Sequence, residues 1–260
     1  MEPANDDTSR AAAPGPALDA DQLREVLTLL PDSDSVELKV TVPEAGRRHV
    51  MDRLGMDPMR AQLRQVAYFD TDDLRLDRAG VVVRARRVQG KNADCVVKLR
   101  PVVPAALGPE LRGARGFGVE VDAMPGGFVC SASLRSSAED AAVREVLLGR
   151  GTIADLLSKR QRTLLAARAP DDVALDDLRV LGPLNILKLK FTADGYPRPL
   201  VAELWFYPDG SQVLELSAKC PPAEAFTAAA ETKAFLSERG VDLTAPQQTK
   251  TRTALQMLTS

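Results

Sequence analysis

The feature that most constrains this chain is an alternation in which each candidate strand carries aliphatic side chains on one face and charged side chains on the other. Residues two apart along a strand share a face. Glu37 and Lys39 therefore project together, opposite Val36, Leu38 and Val40. Arg84 and Arg86 oppose Val83 and Ala85, and Lys98 and Arg100 oppose Val97 and Leu99. Glu120 and Asp122, Lys188 and Lys190, Glu203, and Glu215 with Lys219 repeat the arrangement, and Arg160 and Arg162 repeat its spacing. A single such strand reads as a sheet with one wet face, which is common in antiparallel proteins. Its recurrence, with few neutral polar residues on the charged side, favours a sheet closed with the ionic faces inward and the aliphatic faces outward under helices.

An ionic interior has to offset a desolvation cost of several kcal/mol per buried charge. Bases outnumber acids on these faces, and phosphate is the anion best suited to the surplus. Carboxylates beside those bases would repel phosphate unless a hard cation such as Mg²⁺ bridged the two. The charge pattern alone therefore points to a metal–polyphosphate site.

The order of elements agrees with closure. Alternation marks strands at 35–42, 65–70, 81–88, 94–100, 117–123, 128–134, 160–167, 184–191, 200–207 and 212–219. Turn signals at Gln89-Gly90-Lys91-Asn92, Pro125-Gly126-Gly127 and Pro208-Asp209-Gly210 join neighbouring pairs. Helical patterns lie at 21–30, 44–54, 138–158 (broken near 149–151), 223–239 and 247–258, and 101–116 reads as a loop. Residues 1–19, rich in Ala, Pro and acid, are expected to form a disordered tail ahead of one domain over 20–260. Eight or so antiparallel strands can close a sheet and remove its edges. The expected class is thus α+β, an eight-stranded antiparallel tunnel barrel with flanking helices; two separate α+β modules are the alternative.

Composition removes other classes. The net charge of −2 argues against general nucleic-acid affinity. Cys95, Cys130 and Cys220 are odd in number and widely spaced, a poor disulfide or zinc framework. The opening residues lack the pattern of a secretory signal, and no apolar run is long enough to cross a bilayer, so a reduced cytoplasm is expected, without membrane or nucleic-acid partners.

The segment Tyr68-Phe69-Asp70-Thr71 through Leu76 and Gly80, followed by Arg84-Ala85-Arg86 and Lys98-Leu99-Arg100, resembles the CYTH family of triphosphate tunnel proteins. The resemblance runs from Glu37 to about Lys219. It implies a tunnel barrel that binds triphosphate-like ligands with Mg²⁺ or Mn²⁺, as in thiamine triphosphatase, inorganic triphosphatases and class IV adenylate cyclase. By position, Lys39, Arg84, Arg86, Lys98, Arg100, Arg162 and Lys188 would bind phosphate, and Glu37, Glu203 and Glu215 would hold metal. Two departures stand out. The family's opening Glu-x-Glu-x-Lys reads Ser35-Val36-Glu37-Leu38-Lys39, and a later Glu-x-Glu reads Glu215-Leu216-Ser217. Fewer acids imply weaker cation binding and one metal in place of two, unless Glu120 or Asp122 compensates.

Three functions follow from this reading. One is metal-dependent hydrolysis of a triphosphate or polyphosphate, with Glu37 or Glu215 acting on the water. The second is polyphosphate or nucleotide binding without turnover, which the missing carboxylates favour. The third is a cyclase reaction, although no base-recognition motif is visible. Among other residues, His49 reads as a surface residue, Trp205 as a tunnel or core residue, Asp70 and Thr71 as turn caps, and Lys250 to Thr253 as a solvated basic turn in preference to a tunnel closure.

Overall fold

The computed structural model describes residues 18–247 and 250–259. Nine strands among them form one closed barrel: Ser35–Val42 (β1), Gln62–Asp70 (β2), Val81–Val88 (β3), Lys91–Leu99 (β4), Phe117–Met124 (β5), Gly127–Ala138 (β6), Arg179–Phe191 (β7), Leu200–Phe206 (β8) and Gln212–Cys220 (β9). Around the ring their order is β1-β5-β6-β4-β3-β2-β7-β8-β9, and β9 returns to β1. The outer helices are Ala20–Leu29 (α1), Glu44–Arg53 (α2), Arg75–Arg78 (α3), Pro109–Arg112 (α4), Asp140–Leu147 (α5), Ile153–Leu156 (α6), Lys159–Ala166 (α7), Ala225–Glu238 (α8) and Lys250–Thr259 (α9). The tail expected over 1–19 lies outside the described residues except at its end, where the Asp19 carboxylate caps α1.

The barrel has nine strands and is mixed, not eight-stranded and antiparallel. The two corrections have one cause. A closed ring with an odd number of strands cannot alternate direction all the way round, so at least one neighbouring pair must be parallel. That pair is β1 with β5, in register from Ser35 opposite Glu120 to Leu38 opposite Ala123. The segment after β4 makes it possible by carrying the chain past β6, which pairs with both β4 and β5.

The stretch 160–167, expected as a strand, lies largely in helix α7. Two arginines at spacing two gave a false period. The deciding signal is the Ser158-x-x-Gln161 capping box, in which Ser158 Oγ accepts from the Gln161 amide at 3.3 Å and Gln161 Oε1 accepts from the Ser158 amide at 3.0 Å. Gln161, Leu164 and Leu165 then share the buried face. Gln161 also donates its side-chain amide to the Cys95 and Leu134 carbonyls, each at 2.9 Å, tying the helix to β4 and β6.

Aliphatic faces point outward, as the alternation requires. Val81, Val83, Ala85, Cys95, Val97 and Leu99 pack under α5, α6 and α7, while Val40, Val42, Leu214 and Leu216 pack under α2 and α8. A side chain of this size contributes roughly 1.5–3 kcal/mol when fully buried. One stretch of the barrel's inner surface is apolar too. There Val66, Tyr68, Leu184, Ile186, Trp205 and Tyr207 enclose Ala254 and Leu255 of α9, so this helix plugs the barrel. No helix among the described residues is long and apolar enough to cross a membrane.

Candidate functional site

The inward faces enclose a cavity of about 1100 Å³. Its wall carries Lys39 from β1, Arg84 and Arg86 from β3, Lys98 from β4, Arg100 just beyond it, Lys188 from β7, and Lys250 from α9. Six of the seven residues predicted to bind phosphate therefore meet in one space. Arg162 does not: it is exposed on α7 and donates to the Ala154 and Leu157 carbonyls at 3.0 Å. It left the barrel with the helix that replaced its predicted strand.

Most of the cations already face acids. Asp122, fully buried, is contacted by Lys39 at 2.6 Å, by Lys98 at 3.4 Å and by Arg100. Arg86 donates through Nε to Asp94 at 3.1 Å. Lys188 reaches Glu203 at 2.7 Å. Arg84 differs: no carboxylate among the described residues lies in ion-pair reach, and its Nε is buried without a hydrogen-bond partner. Burial and the neighbouring Arg86 push its pKa below the usual arginine value. Burial, with Arg100 and Lys39 nearby, likewise pulls Lys98 well below an ordinary lysine. An electropositive centre of this kind stabilises an incoming polyanion.

The carboxylates divide into two groups, and the division differs from the predicted metal set of Glu37, Glu203 and Glu215. Glu37 stands with Glu120 and Asp122, one carboxylate oxygen of each lying within 4.8 Å of the other two. The parallel pairing of β1 and β5 creates this group by setting Glu37 opposite Asp122. Burial raises the Glu37 pKa, but the Lys39 ammonium, together with Lys250 and the Ser217 hydroxyl, outweighs it and holds Glu37 at about 2. Three convergent carboxylate oxygens suit a hard cation such as Mg²⁺ or Mn²⁺. Glu203 and Glu215 form the other group, opposite one another on β8 and β9 and already bonded to lysines.

The two serines at positions where the resemblance implies carboxylates both bond to this group. Ser35 Oγ donates to Glu120 at 3.3 Å, and Ser217 Oγ donates to Glu37 at 3.0 Å. Lys250, expected in a solvated turn, is instead inside the cavity, where its ammonium bonds Glu203 and Glu215 and lies 5.3 Å from the centre of the Trp205 ring. Its position comes from the docking of α9, which no local pattern around Lys250 announces; the apolar spacing of Ala254 and Leu255 is the one available signal.

The signature segment splits between the two tasks. Tyr68 lines the cavity. Asp70 turns away and accepts from the Thr71, Leu76 and Asp77 amides at 2.7–2.9 Å, while Thr71 Oγ1 accepts from the Arg75 amide. Both residues are turn caps, as expected. His49 is exposed on α2.

Two solved structures share this fold. A candidate adenylate cyclase from Bacillus halodurans is 14% identical, with a TM-score of 0.60 over 85% of this chain and 97% of its own. A candidate adenylyl cyclase from Hippeastrum, described as having a dominant triphosphatase activity, is 16% identical, with a TM-score of 0.61 over 84% of this chain and 93% of its own. No protein-family model matches the chain, and no curated protein matches it in sequence.

Proposed function

We propose that this chain, whose fold is that of the CYTH-type tunnel proteins, binds a triphosphate or short polyphosphate inside the barrel with one divalent cation, Mg²⁺ or Mn²⁺, and hydrolyses its terminal anhydride. The observation that carries this reading is the set of inward cations around Arg84, which lines the cavity with no carboxylate among the described residues in ion-pair contact. Phosphoryl transfer asks little covalent chemistry of a protein beyond positioning and charge stabilisation, and Arg/Lys rows supply both.

Lys39, Lys98 and Arg100 share their charge with Asp122 until a phosphate chain takes it up. Arg84 and Arg86 line the same wall and hold the next phosphoryl oxygens. Glu37, Glu120 and Asp122 would hold the cation, which when bound neutralises phosphate oxygens and polarises the phosphorus. Glu37, ionised across the physiological range, accepts a hydrogen bond from the attacking water and orients it. A carboxylate with so low a pKa is a weak base, so the water's proton passes to phosphate oxygen or solvent as the terminal P–O anhydride bond breaks. Glu215 is bonded to Lys250 and has the same orienting capacity on the neighbouring strand β9.

The test is phosphate release from tripolyphosphate, ATP and thiamine triphosphate, with Mg²⁺ or Mn²⁺ and with chelator. Chelator-sensitive release that Arg84→Ala abolishes supports the hydrolase. Tight polyphosphate binding without release favours the second reading, a non-catalytic binder, which Ser35 and Ser217 in place of carboxylates support. Pyrophosphate release from ATP would indicate the cyclase.

A further inference from the structure

We propose that Lys250 is a built-in cation standing where a second divalent ion would otherwise sit between Glu203 and Glu215, so that the tunnel takes up one exchangeable metal and not two. The inference rests on the metal–polyphosphate reading above and concerns Glu215 on β9, the strand that borders β1, and Glu203 beside it on β8.

Glu203 and Glu215 are direct cross-strand partners, and both point into the cavity. Like charges placed directly opposite one another on neighbouring strands destabilise the pair. Burial sharpens the conflict, because Glu215 is only 5% exposed. Something positive has to stand between them. The Lys250 ammonium bonds one oxygen of Glu203 and lies 2.6 Å from Glu215 Oε1, while Lys188 takes the other Glu203 oxygen at 2.7 Å. The Trp205 ring closes over the ammonium from a further side.

The position is fixed from outside the sheet. Lys250 is the first residue of α9, whose Ala254 and Leu255 are buried in the apolar stretch of the barrel's inner surface. Ahead of it, Gln247 accepts a hydrogen bond from the Thr41 amide at 2.8 Å, tying the incoming segment to β1. A lysine in the first turn of a helix is opposed by the helix dipole. Lys250 is therefore badly placed for its own helix and well placed for the two glutamates. A divalent ion approaching this pair would have to displace the ammonium toward Glu37, which already carries Lys39, at a cost of several kcal/mol. Glu37, Glu120 and Asp122 carry cations as well, Lys39 standing 3.0 Å from Glu37 and 2.6 Å from Asp122, but these come from the cavity-lining strands and not from a docked helix, and this group is the exchangeable site.

Direct titration of the purified full chain with Mn²⁺ alone, read by calorimetry and by the loss of the free-ion paramagnetic signal, counts the sites. The wild type is expected to bind one ion, Lys250→Ala two, and Lys250→Ala with Glu215→Gln one again. Lys250→Arg, which keeps the charge, stays at one. A wild-type count of two, or a folded Lys250→Ala that binds no more ions than the wild type, overturns the proposal. Should Lys250→Ala fail to fold, Glu203→Gln with Glu215→Gln decides it: an unchanged count upholds the proposal and a lost ion overturns it. A count of zero in the wild type that rises to one in Lys250→Ala would uphold the role of Lys250 while removing the Glu37 metal site, so the two readings fail separately.

Discussion

The Ser217 hydroxyl donates to Glu37 Oε1 at 3.0 Å, across the β1–β9 seam that closes the barrel. A residue standing where a family carboxylate is expected thus supports the remaining carboxylate in place of supplying a second. Ser217→Glu would put a fourth acid beside Glu37, Glu120 and Asp122. Cation affinity rises with ligand charge. The variant is expected to bind Mn²⁺ about tenfold more tightly, equivalent to ~1.4 kcal/mol. With chelator present it should melt at a lower temperature than the wild type, because the added charge then has no partner. Calorimetric titration and melting curves with and without Mn²⁺ read both effects, and equal affinity would show that Ser217 lies outside the cation's reach.

Arg84 predicts a divided outcome. Its guanidinium has no carboxylate in ion-pair contact and a buried Nε without a partner, so Arg84→Ala removes a cost from the ligand-free fold. It also removes a charge-assisted phosphate contact of about 1.5–3 kcal/mol. Tripolyphosphate affinity should fall by roughly ten- to a hundredfold while the melting temperature holds or rises. Arg162→Ala, on the surface of α7, should leave tripolyphosphate affinity unchanged. A parallel loss of stability in Arg84→Ala would mean that the guanidinium is structural.

Glu37 sets an acid limit on the metal-free protein. Its folded pKa lies at about 2, below the ordinary 4.5. A depressed carboxylate stabilises the fold fully above its unfolded pKa and loses that contribution as pH falls through the folded value. Stability with chelator should therefore decline between about pH 4.5 and pH 2. Glu37→Gln should flatten that part of the curve. Denaturant midpoints at a series of pH values give the comparison, and identical slopes for the two proteins would contradict it.

Gln161 predicts a loss of stability without a loss of site chemistry. The residue is fully buried, and its amide satisfies two strand carbonyls that no water reaches. Leaving one buried polar group unmatched costs about 1–3 kcal/mol. Gln161→Ala should lower stability by roughly 3 kcal/mol or more, counting the lost packing. Polyphosphate affinity of the folded fraction should stay as in the wild type. Urea unfolding and calorimetry separate the two, and unchanged stability would mean that the neighbouring Ser136 and Ser158 satisfy those carbonyls instead.

What the sequence revealed follows from how local each signal is. The inward placement of Lys39, Arg84, Arg86, Lys98, Arg100 and Lys188 was legible, because period-two alternation is written within a few residues of each. Arg162 misled for the same reason: two arginines imitate that period, and only the capping serine and glutamine around them disclose a helix. The carboxylate grouping was only half legible. Glu37 meets Asp122 because β1 runs parallel to β5, a pairing between segments more than eighty residues apart. Lys250 was the least legible, since its place depends on where a whole helix docks.

The parity of the ring has a consequence for how the protein is made. Its first strand is bonded to β9 on one side and to β5 on the other, so no hairpin joins it to either neighbour. Until Gln212–Cys220 has emerged from the ribosome, the seam stays open, and Glu37 has no Ser217 while Glu203 has no Glu215 beside it. Lys250 emerges later still. A nascent chain can thus form most of its hairpins early and yet possess no closed chamber, so termination before Gln212–Cys220 leaves the barrel open at its seam.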